Sequence, residues 1–268
     1  MLGQLSPLTS VELGAAAIRG ALDRAGVAPE SVDHVILGHV LPAGVGQGPA
    51  RQAAFAAGIP MSTPAMTVNK LCLSGLQAII LADQYIRAGL ATTVVAGGIE
   101  SMSRAPHLLL GSRTGTRFGP ITMADHMSLD GLDDPFSGRV MGLLTEDEND
   151  RRPIPRERMD EFAVLSHHRA AAAQASGVFA DEIVPVEVAQ RRGPVLVLDT
   201  DEGVRPDASV ETLAKLPGAF RDGGAITAGN ASPISDGAAA LVLMDRAAAE
   251  AAGLDWIAEL GAPGMVAG

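Results

Sequence analysis

The sequence is poor in cysteine, in aromatic residues and in positive charge, and each shortage excludes a class of protein. A single cysteine in 268 residues excludes an internal disulfide framework and fits a reducing compartment, so we expect a cytoplasmic protein. The net charge of −11 argues against nucleic acid or an anionic membrane as a general partner, although a local positive cluster still allows a small anionic ligand. No run approaches ~20 apolar residues and no signal segment opens the chain, so we expect no export and no membrane span.

Apolar residues make up 47% of the chain and aromatic residues only 3%, which suits a compact α/β protein layered with small side chains. In the first hundred residues the apolar periodicity alternates between helix and strand. The predicted order is a helix from a Thr9–Glu12 capping box to Gly26, a strand at 35–37, a helix at 49–58, a strand at 65–68, a helix at 73–87 and a strand at 93–96 that ends in Gly97-Gly98. This alternation predicts a mostly parallel sheet covered on both faces, with ligands at the C-terminal strand ends.

From about residue 103 to residue 230 the pattern changes, because turn residues cluster and the alternation stops. One amphipathic helix is predicted at 156–176, followed by a strand at 183–188. The alternation then resumes with a strand at 239–243, a helix at 246–252 and a strand at 257–260. The middle region is therefore predicted to be an inserted loop domain. Its His167-His168 pair is interpreted as helix surface rather than a metal site, because adjacent helical residues point about 100° apart.

Cys72 stands between a predicted strand and a predicted helix. At a helix N-terminus the unpaired N–H groups and the helix dipole favour thiolate over thiol, which prepares the sulfur for nucleophilic attack. The small residues Ser74 and Gly75 let an acyl substrate approach the backbone closely. The alternative is a buried, inert cysteine, and the residues alone leave both interpretations open.

Six segments carry a resemblance to a known family. In chain order they are VNKLCLSGLQAI, AGGIESMSRAPH, MGLLTE, DEFAVLSHHRAAAA, DEIVPV and ITAGNASPISDGAAALVLM. They are similar to signatures of the thiolase family, the acetyl-CoA acetyltransferases and 3-ketoacyl-CoA thiolases. The resemblance implies a layered α/β/α fold with a mostly parallel sheet, acyl transfer through a cysteine thioester, and a homodimer or homotetramer. Cys72 matches the acyl-accepting cysteine, and Leu73 stands where many members have Gly, Ala or Ser.

The resemblance also implies residues that bind CoA. Arg205 matches an arginine that contacts the nucleotide end, where a guanidinium can stack on adenine or approach a phosphate. Ser232 matches a serine that hydrogen-bonds the pantetheine arm, and Met141 matches a methionine that lines the pantetheine tunnel. Thr212 is a weaker candidate near the adenine pocket. We expect Arg205, Ser232 and Met141 to line one cleft with Cys72; the alternatives are a solvated loop arginine, a turn serine and a core methionine.

By the same resemblance, residues 1–102 and 233–268 correspond to the thiolase N-terminal α/β domain and residues 103–232 to an inserted α+β domain that binds CoA. The family's first strand and its C-terminal domain have no counterpart. No histidine follows His168 and no cysteine follows Cys72, whereas family members carry a Gly-His-Pro histidine and a second cysteine there. The chain thus resembles a thiolase truncated at both ends, with the acylation half of the site.

The implied function is thiolase-type acyl transfer in fatty acid metabolism, which interconverts acetoacetyl-CoA or a 3-ketoacyl-CoA plus CoA with acetyl-CoA and a shortened acyl-CoA. CoA and acyl-CoA are substrates, and we expect neither a permanently bound cofactor nor a metal. The alternative is a catalytically deficient fragment that binds CoA or dimerises. A relative of the ketoacyl synthases is a third option, disfavoured because the AGNAS and MGLLTE segments indicate CoA rather than a carrier protein.

Overall fold

The computed structural model describes residues 1–190 and 192–266, so the end of the predicted range 233–268 lies outside the described residues. The chain divides into two compact units. The sheet unit comprises residues 4–106 and 235–268 together with Leu2, and the loop unit comprises residues 107–234 together with Met1 and Gly3. The loop domain predicted from the sequence was 103–232, and its role in CoA binding stays a prediction.

The sheet unit is built on four strands and four helices. In chain order its elements are α1 (Ser10–Ala25), β1 (His34–Gly38), α2 (Pro49–Ala56), β2 (Ala65–Val68), α3 (Ser74–Arg87), β3 (Thr93–Ser101), β10 (Asp236–Met244) and α7 (Arg246–Ala251). The strand order is β10-β3-β1-β2, with β2, β1 and β3 parallel and β10 antiparallel to β3. The sheet is therefore mostly parallel, as predicted.

Alternate residues of β1 and β3 bury on opposite faces of the sheet. Val35, Leu37 and Val95 pack with α1 and α2 on one face. Ile36 and Val94 pack with Ala78 and Ala82 of α3 on the other. Strands buried on both faces explain the nearly continuous apolar runs of the sequence.

Helix α1 begins and ends where the sequence predicts. Thr9 accepts a hydrogen bond from the amide of Glu12, and the Glu12 carboxylate accepts one from the amide of Thr9, which completes the capping box. At the other end Gly26 adopts φ 63°, the left-handed conformation that a glycine takes without steric cost.

Three predicted strands need correction. β3 does not end at Gly97-Gly98 but continues to Ser101, because the long antiparallel β10 pairs with it beyond the last residue that β1 reaches, Gly98. Residues 257–260 form no strand, and Ile257 is fully exposed rather than buried in a sheet. The strand predicted at 183–188 is shorter, since β8 spans Val186–Val188.

The loop unit has short strands and one long helix. In chain order its elements are β4 (His107–Leu108), β5 (Ala124–Asp125), β6 (Asp133–Asp134), β7 (Arg139–Val140), α4 (Met141–Arg151), α5 (Arg156–Ser176), β8, β9 (Leu196–Leu198) and α6 (Val210–Leu213). The strands pair as the antiparallel hairpins β4-β5, β6-β7 and β8-β9. Helix α5 has the predicted bounds, yet its Phe162 is 70% exposed. Across the described residues, no helix is long and apolar enough to cross a membrane.

Candidate functional site

Cys72 lies in a tight turn between β2 and α3, which we call the cysteine turn and define as residues 69–74. Its side chain is exposed and free of any disulfide. Two residues later α3 begins, and its N-cap residue Leu73 provides no side-chain acceptor for the helix. The amide of Ser74 already bonds the carbonyl of Leu71, so any further acceptor at this helix start, such as an anionic sulfur or oxygen, would be served by the amides of Gly75 and Leu76. The structure thus excludes the buried position on which the inert-cysteine alternative depends.

The cysteine turn contains backbone strain next to the sulfur. Leu71 adopts φ 51°, in the left-handed region that branched and bulky side chains avoid. Asn69 Oδ1 accepts a hydrogen bond from the amide of Leu71 at 2.9 Å. Ser74 Oγ accepts one from the amide of Lys70 at 2.8 Å and donates one to the carbonyl of Leu71 at 2.6 Å. Polar side chains on both sides of Cys72 therefore hold the strained residue.

The turn rests directly on the sheet. A Cβ atom at Gly38 would overlap the backbone of Ser74 and Gly75, so only glycine allows α3 to start this close to the end of β1. Beyond Gly38, the amide of His39 bonds the carbonyl of Val68 and the side-chain amide of Asn69 bonds the carbonyl of Val40. The carbonyl ends of β1 and β2 thus support the segment that carries Cys72.

A polar pair of one buried and one partly buried side chain fixes the same segment. His39 is 2% exposed, and its Nε2 lies 3.1 Å from Oε1 of Glu100 on β3. The Glu100 carboxylate also accepts hydrogen bonds from the amides of Val40 and Leu41. Glu100 therefore fixes the segment after β1 to which Asn69 attaches. Sequence reasoning missed the supporting roles of Asn69, Glu100 and His39, because a backbone bond between distant segments leaves no sequence pattern.

Exposed apolar side chains lie next to Cys72 in the chain. Leu71, Leu73 and Leu76 are 55%, 52% and 56% exposed, a large fraction for leucine. An exposed group of large apolar residues marks a ligand or protein contact more often than an idle surface. A polar contact also lies at this turn, where Lys70 Nζ donates a hydrogen bond to Gln77 Oε1 at 2.9 Å.

In the loop unit, Arg205 is exposed in the loop before α6, and Thr212 is exposed within α6. The Thr212 hydroxyl forms a capping box with Ser209 at the start of α6, so its polar atom is already engaged. The predicted helix-surface histidines contact this loop: His167 Nδ1 accepts from the amide of Arg205 at 3.2 Å, and His168 Nε2 lies 2.9 Å from the carbonyl of Ala208. Both histidines lie at the surface of α5, and they also hydrogen-bond the backbone of residues 205–208.

Ser232 is exposed and follows a segment held by buried carboxylates. Asn230 donates to Oδ1 of Asp160 at 2.9 Å and accepts from the amide of Thr227 at 2.8 Å. Glu146, fully buried on α4, accepts from the amides of Ala225 and Ile226. The segment 225–230 is thus fixed from α4 and α5. Three of these four bonds have a carboxylate acceptor, and hydrogen bonds to carboxylates are stronger than bonds between neutral groups.

Met141 is the first residue of α4 and is 49% exposed. The structure thus places Met141, Arg205, Thr212 and Ser232 on the surface of the loop unit, and the expectation that three of them share a cleft with Cys72 stays a prediction. Within the described residues, no group of His, Cys, Asp or Glu could hold a metal ion.

Ion pairs along α4 set the electrostatics of this unit. Arg221 donates to both carboxylate oxygens of Asp150, at 2.8 and 2.7 Å, and this hydrogen bonding lowers the pKa of Asp150. The bond from Arg139 at 2.6 Å likewise lowers the pKa of Asp147. Both ion pairs are open to solvent. They therefore affect the surface electrostatic potential more than the stability of the fold.

Comparison with known proteins assigns the chain to a family. Residues 1–247 match the family model described as thiolase, N-terminal domain. The chain belongs to the thiolase family. A probable acetyl-CoA acetyltransferase of Mycobacterium leprae is 54% identical over 268 residues, which is 100% of this chain and 68% of that protein. An acetyl-CoA acetyltransferase of Chromobacterium violaceum is 51% identical over 252 residues, covering 94% of this chain and 64% of that protein.

A solved structure agrees with this assignment. The crystal structure of the Bacillus anthracis acetyl-CoA acetyltransferase is similar with a TM-score of 0.90 and 40% sequence identity, over 94% of this thiolase chain and 64% of that one. The predicted family and the predicted α/β fold are therefore confirmed, and thiolase-type acyltransferase function is confirmed at the level of the family. The roles of individual residues remain predictions.

Proposed function

We propose that this thiolase chain accepts an acyl group from acyl-CoA on Cys72. The observation that carries the proposal is the exposed sulfur on a strained turn, directly before a helix that has no side-chain cap. Strain held by surrounding bonds is typical of residues fixed for chemistry. The relatives' names, acetyl-CoA acetyltransferases, support an acetyl group as the transferred unit.

The step is a thioester exchange. The Cys72 thiolate attacks the acyl carbonyl carbon and forms a new carbon–sulfur bond, and the electron pair of the broken thioester bond leaves on the sulfur of CoA. Backbone N–H groups at a helix start are suited to stabilise the negative charge on sulfur or on the carbonyl oxygen. The exposed leucines of the turn supply an apolar surface beside the acyl group.

We further propose that the loop unit binds CoA through Arg205, Ser232 and Met141. Arg205 is exposed with its backbone fixed by His167, which leaves the guanidinium for adenine or phosphate. Ser232 follows the rigid segment that Asn230 and Asp160 hold, a position suited to a hydrogen bond with pantetheine. Thr212 would contribute only by surface contact, because its hydroxyl caps α6.

A second candidate concerns these 268 residues taken by themselves, which would carry out the acylation half-reaction alone or only bind CoA. The observation in its favour is that these 268 residues contain no cysteine besides Cys72 and no histidine after His168. Thiolytic cleavage and condensation need further proton transfers, for which the family uses those two groups. Under either candidate we propose a cytoplasmic homodimer or homotetramer active in fatty acid metabolism.

Intact-mass spectrometry after mixing the chain with acetyl-CoA tests acylation. We expect one acetyl group per chain, reversed by added CoA and absent in Cys72→Ala. Acetylation that persists in Cys72→Ala, or none in the unmodified chain, contradicts the assignment of Cys72.

Calorimetric titration with CoA tests the binding residues. We expect Arg205→Gln to weaken binding about tenfold, the size of one lost charged contact. Arg169→Gln is the matched control, since Arg169 is an exposed arginine of α5 in the same unit. Equal affinities of the two variants would remove Arg205 from the proposal.

A further inference from the structure

We propose that Ser74 is a positioning residue for Cys72, acting through the left-handed conformation of Leu71. The inference rests on the proposed role of Cys72 and concerns a side chain that need not touch the substrate. Ser74 is 3% exposed, and its hydroxyl joins the two residues that precede Cys72. It accepts from the amide of Lys70 and donates to the carbonyl of Leu71.

The Ser74 hydroxyl acts on the carbonyl of Leu71. The carbonyl of Leu71 also accepts the amide of Ser74 at 2.9 Å, so a single residue bonds that carbonyl through both its backbone and its side chain. These bonds close the turn around Cys72 and fix the orientation of the peptide between Leu71 and Cys72. A leucine at φ 51° costs free energy that an unrestrained turn would release by rotating. The Ser74 hydroxyl opposes this rotation and keeps the sulfur at the start of α3.

Asn69 restrains the same residue from the other side. Its Oδ1 bonds the amide of Leu71, and its Nδ2 bonds the carbonyl of Val40 at 3.3 Å. Leu71 is therefore held at its amide by Asn69 and at its carbonyl by Ser74. Because Asn69 is exposed, its replacement tests the same restraint with less risk to folding than a change at Ser74.

The test measures alkylation of Cys72 by iodoacetamide, which reports one site because Cys72 is the only cysteine. We expect Ser74→Ala to slow the second-order rate about tenfold, which corresponds to about 1.4 kcal/mol. Ser74→Thr, which keeps the hydroxyl, should restore the rate to within about twofold, and Asn69→Ala should slow it in the same direction. Ser10→Ala is the matched control, since Ser10 is 2% exposed and lies at the start of α1 rather than in the turn.

A double-mutant cycle separates positioning from a general loss of stability. In Leu71→Gly the positive φ costs nothing, so adding Ser74→Ala should change the alkylation rate by less than about twofold. A structural role alone would predict the same effect of Ser74→Ala in both backgrounds. That result, or unchanged alkylation in folded Ser74→Ala and Asn69→Ala, overturns the inference.

The alkylation test of Ser74 and the acetylation test of the proposed function can fail separately. Alkylation needs no acyl donor, so it reports the turn even if acetyl-CoA leaves Cys72 unmodified. Failure of acetylation with the expected alkylation pattern would reject Cys72 as acyl acceptor and retain the positioning role. Acetylation that Ser74→Ala leaves unchanged would reject the positioning role and retain the acceptor.

Discussion

At the scale of single residues, the site depends on one unusual backbone conformation and on one position that has no room for a side chain. Leu71 is held in a region that leucine avoids, and Gly38 leaves room that any side chain would fill. Sequence reasoning found Cys72 because a strand, a cysteine and a helix start follow one another. It could not find Gly38, because the close approach joins residues that are 36 positions apart, from Gly38 to Ser74.

Replacement of Gly38 by alanine should destabilise the sheet unit and disturb the cysteine turn. The added Cβ overlaps the backbone of Ser74, and overpacking of this kind costs about 1–3 kcal/mol. Gly237→Ala is the matched control, because Gly237 is also a strand residue and its Cβ would meet no atom within 4 Å. Urea denaturation followed by circular dichroism gives both unfolding free energies. Equal values for the two variants would show that α3 moves away at no cost.

His34 should make stability depend on pH. Burial, and secondarily the charge of Arg51, lowers the pKa of His34 below its ordinary value of 6.5. The unfolded chain therefore binds more protons below pH 6.5, so this stabilisation is complete above 6.5 and is lost as the pH falls through the folded pKa. In His34→Phe, which keeps a ring against Tyr85, melting temperature should fall less between neutral and mildly acidic pH. Parallel melting curves for the two proteins would contradict the assignment.

At the scale of secondary-structure elements, features set by neighbouring residues were predicted from the sequence, and strand pairing between distant segments was not. The capping box of α1, the bounds of α5 and the strand before Cys72 were predicted because each depends on neighbours in the sequence. The extension of β3 was missed, since it depends on β10, which lies more than a hundred residues away. The strand predicted at 257–260 was wrong, since no described strand pairs with that segment.

The link between α5 and the segment 225–230 should depend on Asp160. This carboxylate is 1% exposed and accepts from Arg156 Nε at 2.7 Å and from Asn230 at 2.9 Å. Asp160→Ala removes the shared carboxylate acceptor and leaves the Arg156 guanidinium with only the carbonyls of Leu213 and Leu216, at a cost of about 1–3 kcal/mol. Glu161→Ala, which removes an exposed partner of Arg158, should cost no more than about 1 kcal/mol.

Hydrogen exchange on peptides that cover residues 225–232 measures this effect. The only tryptophan and the only tyrosine lie in the sheet unit, so aromatic fluorescence would not report the loop unit. We expect faster exchange in Asp160→Ala and unchanged exchange in Glu161→Ala. Unchanged exchange in both would assign the rigidity of the segment to Glu146 instead.

At the scale of the whole molecule, much apolar surface is open to solvent. Phe118 is 100% exposed, Phe136 96% and Phe162 70%, and the exposed leucines of the cysteine turn add to them. Large apolar side chains that are almost fully exposed are costly in water, and a partner chain or a ligand that covered them would relieve this cost. This favours the proposed homo-oligomer and the proposed acyl-CoA site. The sequence indicated the family through six ordered segments, whereas these exposures follow from tertiary packing that no segment encodes alone.

The 268-residue chain should acylate without turning over. Acylation needs only the thiolate of Cys72 and an acyl donor, and the start of α3 assists it. Cleavage of acetoacetyl-CoA also requires protonation of the departing acetyl-CoA carbanion, and condensation requires removal of an α-proton. General acid–base help of this kind is typically worth ~10²–10⁴-fold. The sequence offers neither a second cysteine nor a histidine after His168 for these transfers.

Acetoacetyl-CoA cleavage by the purified chain, measured beside Cys72→Ala, is the corresponding assay. We expect the two cleavage rates to be indistinguishable, whereas in a separate reaction acetyl-CoA, which needs no carbon–carbon cleavage, acetylates only the unmodified chain. Sustained cleavage that depends on Cys72 would show that another group within these residues moves the proton. Because His39 and His126 are buried and each pairs with a carboxylate, they would then be the first histidines to replace. Loss of turnover in one of those variants, with acetylation of Cys72 retained, would assign the proton transfer to that histidine and make the second cysteine dispensable for it.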